Sequence, residues 1–220
     1  MKAFVAGATG RTGRQIVQVL LEKDIAVCAL VRSLEKGQTE LPQGVELVEG
    51  DLLNPPSWQA ALADCDVVFC AVGAAPSLNF TEPYQVDYVG TKHLIDATEK
   101  QGIERFILIS SLCVSQFFHP LNLFWLVLFW KQQVEQYLQK TGLKFTIVRP
   151  GGLLDTDNAD PLVVAQADTL FEGRIPRRKV AELAVESLFY DDSQYKVIET
   201  VAQPEAQPQS WEHLFRTLAA

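Results

Sequence analysis

The chain predicts a single α/β domain with a doubly wound parallel sheet covered by helices on both faces. Three observations carry this expectation. Apolar runs of strand length alternate with helix-length stretches over the first two thirds of the 220 residues. Several of those runs are apolar throughout rather than alternating, as strands buried on both faces are. The first run, Ala3-Phe-Val-Ala6, leads into a glycine-rich turn, Gly7-Ala-Thr-Gly-Arg-Thr-Gly13, and then a helix-like stretch to Glu22.

In that order the glycines have separate tasks. Gly7 allows a tight turn, Gly10 lets backbone approach a ligand, and Gly13 lets helix and strand pack. The amides at the helix start, from Thr9 to Gly13, suit a pyrophosphate with the helix dipole behind them. Ile25–Val31 reads as the second strand. At its end, where a carboxylate would hold a ribose 2′-hydroxyl, stands Arg32, with Ser33 beside it and Arg11 in the glycine turn. A guanidinium there suits a 2′-phosphate, so the cofactor expected is NADP(H) in preference to NAD(H).

Val45–Glu49 reads as the third strand, and Pro55–Ala63 as a helix with prolines at its start. Asp66–Val72 is the fourth strand. Ligands of such sheets lie across the carboxyl ends of the strands, which puts Asp51, Leu52, Ala71, Val72 and Gly73 against an adenosine. Pro83–Gln101 reads as a helix, Arg105–Ser110 as the fifth strand, and Lys144–Val148 as the sixth. Between these two strands a long segment carries Cys113 through Trp130 into a helix ending near Gly142. In the last third, Leu162–Ala165 and Lys196–Val201 are short strands, and Val180–Phe189 and Ser210–Leu218 are helices. Residues 1–150 form the cofactor-binding core and 151–220 a substrate-side elaboration of the same domain.

Composition narrows the function classes. A net charge of −8 argues against non-specific nucleic-acid binding and for a soluble, cytoplasmic chain. Cys28, Cys65, Cys70 and Cys113 lack metal-site spacing and sit in apolar runs, so they read as buried free thiols, with no metal expected. The start of the chain reads as a strand rather than a signal or transit peptide. The apolar stretch from Leu121 to Trp130 is too short to span a bilayer.

Taken together, Gly7–Gly13, Val31-Arg32, Gly50-Asp51-Leu52, Val86-Asp-Tyr-x-Gly-Thr91, Ile109-Ser-Ser111, Lys131 and Val148-Arg-Pro-Gly-Gly152 resemble the atypical branch of the short-chain dehydrogenase/reductase superfamily. The likeness covers nearly the whole chain. It is similar to the biliverdin reductase B/flavin reductase type and to cyanobacterial and chloroplast relatives. The resemblance implies a Rossmann-like fold with a nicotinamide cofactor over the sheet edge. It places Ser110 or Ser111 and the Pro150–Gly151–Gly152 backbone at the nicotinamide half.

The superfamily's usual chemistry uses a Tyr four residues before a Lys, but the residue four before Lys131 is Val127. Valine cannot move a proton, and a positioned acid contributes roughly two to four orders of magnitude to carbonyl reduction. A planar conjugated acceptor takes hydride into its ring system and a proton from solvent, and the resemblance implies a flavin- or bilin-like one. The first expectation is therefore an NADPH-dependent reductase of such an acceptor, with Ser111 and Lys131 at the reaction centre. Tyr84 and Tyr88 are further candidates for the cleft that no spacing argument selects, and His119 before Pro120 reads as a turn residue. The alternative is a non-catalytic NADP(H)-binding protein that reports redox state to an assembly or a photosynthetic membrane. In Phe117–Trp130, aromatics and leucines on every face of the implied helix leave three roles open: substrate lining, protein partner, or membrane-surface contact.

Overall fold

The computed structural model describes residues 1–73, 79–123 and 125–218. The first strands are β1 (Lys2–Ala6), β2 (Ala26–Val31), β3 (Glu46–Glu49), β4 (Val67–Cys70), β5 (Arg105–Ile109) and β6 (Lys144–Pro150). They pair in parallel in the order β3-β2-β1-β4-β5-β6, as expected of a doubly wound sheet. The sheet continues into the last third through β10 (Lys196–Ala202), parallel to β6. Antiparallel to β10 lie β8 (Leu162–Gln166) and β9 (Arg174–Pro176), and β7 (Gly152–Leu154) pairs with β9. Both β7 and β9 are three residues long, too short for periodicity to reveal.

Alternate residues of each central strand feed opposite cores. Ala3 and Val5 of β1 join Ile16, Val17 and Leu20 of α1 (Arg11–Glu22) and Val180 and Leu183 of α5 (Arg177–Glu186). Phe4 and Ala6 join Leu94 and Ile95 of α3 (Thr91–Lys100) and Val134 and Leu138 of α4 (Val127–Leu138) on the other face. Two further helices are α2 (Leu34–Glu40), capped by Ser33, and α6 (Trp211–Arg216). The sequence pattern does not announce α2, because Gly37 alone of its residues is buried.

Three expected elements change form. Pro55–Ala63 is not an α-helix but two 3-10 turns, Pro55–Ser57 and Gln59–Leu62. Trp58 breaks it: its ring is fully buried, its φ is −141°, and its Nε1 donates to the Asp51 carbonyl at 2.8 Å. The helix expected from Pro83 opens as a π-helical segment, Tyr84–Gly90, before α3 begins. The aromatic stretch is helical from Val127 only. Residues before it form a loop with one 3-10 turn, Pro120–Leu123, and Phe124 lies outside the described residues. All four cysteines are buried free thiols, and burial pushes the Cys70 thiol up to about 11.

Candidate functional site

The strand order reverses between β1 and β4, and the turns that leave these two strands meet there. Gly7 has φ +80°, and a Cβ on it would lie 2.7 Å from the Ala71 carbonyl. The turn closes with the Gly10 amide donating to the Gly7 carbonyl at 2.9 Å. A Cβ on Gly13 would lie 2.0 Å from the Gly7 oxygen, so α1 is pressed against its own approach. Gly10 differs from both: it is exposed, its φ of −71° suits any residue, and a Cβ would meet only the Gly7 oxygen, at 3.1 Å. Folding gives Gly7 and Gly13 their reason; the open space over Gly10 is a cradle a side chain would fill. No side chain caps α1 and its first turn holds no acidic residue, so the amides there suit an anion. The residues present therefore fit a dinucleotide pyrophosphate.

On the β2 side of the crevice, Arg32 is exposed at the end of the strand and makes no ion pair among the described residues. Arg11 instead reaches across to Asp155 at 3.0 Å, and Asp155 also holds Arg177. Asp51 accepts the Leu53 amide on Oδ1 at 2.9 Å, so one carboxylate oxygen caps a turn. The Leu52 carbonyl is 3.1 Å from His93 Nδ1, which fixes this loop against α3.

At the far end, Lys131 of α4 meets Asp87 of the π-helical segment, Nζ to Oδ1 at 2.8 Å, both largely buried. A Cβ on Gly73 would lie 3.8 Å from each of those atoms, so the pair sits beside the β4 turn. Burial alone would lower the Lys131 pKa, but the Asp87 carboxylate outweighs it and raises the pKa, keeping the ammonium charged. A cavity of about 10 Å³ separates this pair from Ser110, room for at most one water.

The Ser110 hydroxyl is committed to the buried Glu135 carboxylate. Arg149 grips the same carboxylate with Nε and Nη2, the shortest contact being 2.7 Å. Arg149 Nη1 bonds Asp168 at 2.9 Å and Glu199 at 3.3 Å, and Glu199 accepts the amides of residues 168–170. This network ties α4 to β6 and β10. Ser111, by contrast, is half-buried, and no hydrogen bond among the described residues uses its hydroxyl.

The amides of Gly151 and Gly152 are taken by the Thr200 and Gly173 carbonyls, and the Pro150 carbonyl accepts the Leu112 amide. These residues therefore offer close Cα surface rather than free donors. Val127 opens α4 one turn before Lys131 and packs against the apolar cluster of Leu112, Cys113, Val114, Leu128 and Val201. Tyr84 and Tyr88 both contact the Trp130 ring. His119 accepts the Leu121 amide, a turn role as its neighbour Pro120 suggests.

The structure thus brings together the glycine turn, the β4 turn, Ser110 and Lys131, and draws Arg11 toward Asp155. Sequence reasoning missed Asp87, Glu135, Arg149 and Glu199. For two of them, Arg149 in β6 and Glu199 in β10, the signal was a charge set among apolar strand neighbours. Such charges are paired when buried.

The NAD(P)H-binding family matches residues 7–191, and the chain belongs to it. A chloroplastic protein of Arabidopsis thaliana is 42% identical over 99% of this chain and 82% of its own length. The chloroplastic Protein TIC 62 of the same plant is 37% identical over 92% of the chain, which spans only 36% of that longer protein. Sanguinarine reductase of Eschscholzia californica is 28% identical over 93% of the chain and 90% of its own length.

Among solved structures, a Bacillus halodurans protein of NAD-dependent epimerase/dehydratase type superposes with TM-score 0.88 at 26% identity, covering 99% of both chains. ChuY, an anaerobillin reductase of Escherichia coli O157:H7, superposes at 0.78 and 25% identity over 95% of this chain and all of its own. These likenesses bear out the atypical short-chain dehydrogenase/reductase assignment and its kinship with biliverdin-type reductases and chloroplast proteins. They correct one expectation: the relatives at 42% and 37% identity are chloroplastic, so the cytoplasmic assignment drawn from net charge falls. Acidity and solubility are shared by every aqueous compartment, and charge could not choose between them.

Proposed function

We propose that this member of the NAD(P)H-binding family is an NADPH-dependent reductase of a planar conjugated acceptor, flavin- or bilin-like, working in the compartment of its chloroplastic relatives. The observation that carries the reading is Val127, packed one helical turn before Lys131 where a proton donor would stand. Sanguinarine reductase and ChuY support the reductase class.

Residues 1–150 hold the cofactor in this reading, and 151–220 finish the acceptor side. Gly7, Thr9, Gly10, Thr12 and Gly13 cradle the pyrophosphate, and Arg32, with Arg11 at the rim, takes the 2′-phosphate. Asp51, Leu52, Ala71, Val72 and Gly73 line the adenosine. Ser110, Pro150, Gly151 and Gly152 back the nicotinamide half, whose ring when bound supplies hydride. Lys131, kept charged by Asp87, turns its remaining N–H groups to the ribose hydroxyls. Ser111 orients the carboxamide or the acceptor, and solvent supplies the proton. Orientation then accounts for most of the rate.

A second reading, an NADP(H)-binding partner protein without turnover, draws support from exposed apolar side chains around the α4 loop, Phe118 at 96% and Leu123 at 82% exposure. The two separate in one assay: NADPH oxidation by the purified protein with a panel of flavins, bilins, quinones and simple carbonyls. Turnover confined to conjugated acceptors supports the reductase. NADPH binding without turnover across the panel overturns it.

A further inference from the structure

Beside α4 lies an open cavity of about 540 Å³, within the usual range for small-molecule sites. Its walls come from two chain segments: Phe80 and Tyr84 before α3, and Leu123, Trp125, Leu126 and Trp130 leading into α4. Across it Phe80 meets Trp125 edge-on at 5.3 Å, and Tyr84 meets Trp130 at 4.8 Å.

The loop that presents Trp125 is strained yet held. Trp125 and Leu126 both adopt left-handed backbone, φ 59° and 58°, a cost that persists where surrounding structure over-determines it and that gathers at ligand clamps. Asn122 does the holding. Its Oδ1 accepts the Leu128 and Phe129 amides at 3.0 and 3.1 Å, and its Nδ2 donates to the Phe117 carbonyl at 2.9 Å. The aromatic faces are therefore preformed.

Among the described residues none that lines the cavity is charged, and its two polar ones, Thr81 and Asn122, donate to Asn79 and to the Phe117 carbonyl. Lys131, next to Trp130 in sequence, is turned onto Asp87. Trp and Tyr faces attract cations and stack on neutral rings, whereas a carboxylate brought against them finds no partner for the hydration it loses. We propose that this cavity is the acceptor site and that it selects neutral or cationic fused-ring aromatics over ring systems that carry carboxylates. The proposal rests on the reductase reading and narrows it: a flavin-type ring or a cationic polycycle fits, and a dicarboxylate open-chain tetrapyrrole does not.

Three probes sharing one ring test it: N-methylacridinium, acridine, and acridine-9-carboxylate at pH 8, each titrated into the full chain by quenching of tryptophan fluorescence. The cation and the neutral ring bind about tenfold tighter than the carboxylate, and Trp130→Ala weakens them by about tenfold while the NADPH Kd stays unchanged. Trp125→Ala repeats the test should Trp130→Ala fail to fold. Leu123→Lys, on the exposed rim, raises affinity for the carboxylate probe. Equal affinities for all three probes, or no response to any variant, overturn the proposal. So does a dimer in sedimentation that buries the cavity and excludes the probes. Probe selectivity without NADPH oxidation would retain the cavity's selectivity and remove the reductase reading. Turnover of a carboxylate acceptor unaffected by Trp130→Ala would do the reverse.

Discussion

On the β1–β4 side of the crevice the chain presents backbone, and on the α4 side it presents side chains. The first side consists of turns whose shape is set by where a Cβ has no room: Gly7 against the Ala71 carbonyl, Gly13 against Gly7. The second consists of a buried charge network, an ion pair and aromatic rings gathered from residues far apart in sequence. A site made of backbone suits a group that does not change, such as a cofactor, and a site made of side chains suits selection among groups that differ, such as acceptors.

The largest effect is expected where the second side is anchored. Arg149→Met leaves Glu135 and Glu199 buried without their shared cation, and removing one partner of a buried pair costs about 3–5 kcal/mol. Chemical denaturation measures it. A loss under about 1 kcal/mol would mean α4 is held to the sheet by apolar packing alone.

Next comes a contrast within the glycine turn. Gly10→Val should keep the fold, because its Cβ has only the Gly7 oxygen nearby, and should weaken NADPH by at least about a hundredfold by filling the cradle. Gly13→Ala should instead lower the melting temperature, since its Cβ would sit 2.0 Å from a carbonyl oxygen. If both variants lose stability and binding together, the turn has no part reserved for a ligand. Smaller again, Arg32→Asp should shift the ratio of NADPH to NADH dissociation constants by about ten- to a hundredfold, the worth of charge-assisted hydrogen bonds. An unchanged ratio removes Arg32 from the 2′-phosphate site and turns attention to Arg11.

The same contrast explains what was legible in the sequence. Gly7–Gly13 and the apolar strands announce themselves because one local rule, either period or turn geometry, fixes each. Residues 55–63 misled because Trp58 spends its indole N–H on the Asp51 carbonyl, a contact that no helical periodicity records. Residues 117–126, Phe124 aside, misled because the turn before α4 depends on Asn122, whose side chain substitutes for a helix cap from within the loop. Asp87 looked like one polar residue in a helical pattern; only the approach of α4, which brings Lys131, gives it meaning.

The Lys131–Asp87 pair carries the smallest effect and joins the two sides. The folded-state Lys131 pKa is raised above its ordinary 10.5, so its contribution to stability is full below that value and is lost as pH rises through the folded pKa. Asp87→Asn reverses the sign. A buried ammonium without a carboxylate has its pKa depressed, so the variant should gain stability as pH rises toward 10.5. Denaturant midpoints of both proteins between pH 8 and 11 read the difference, about 1.4 kcal/mol for each unit of relative shift. Parallel curves would mean that the pair is solvated in solution and that Lys131 is not held over the β4 turn. Divergent curves, with weakened NADPH binding in the variant, would mean that Asp87 positions Lys131 for the nicotinamide ribose.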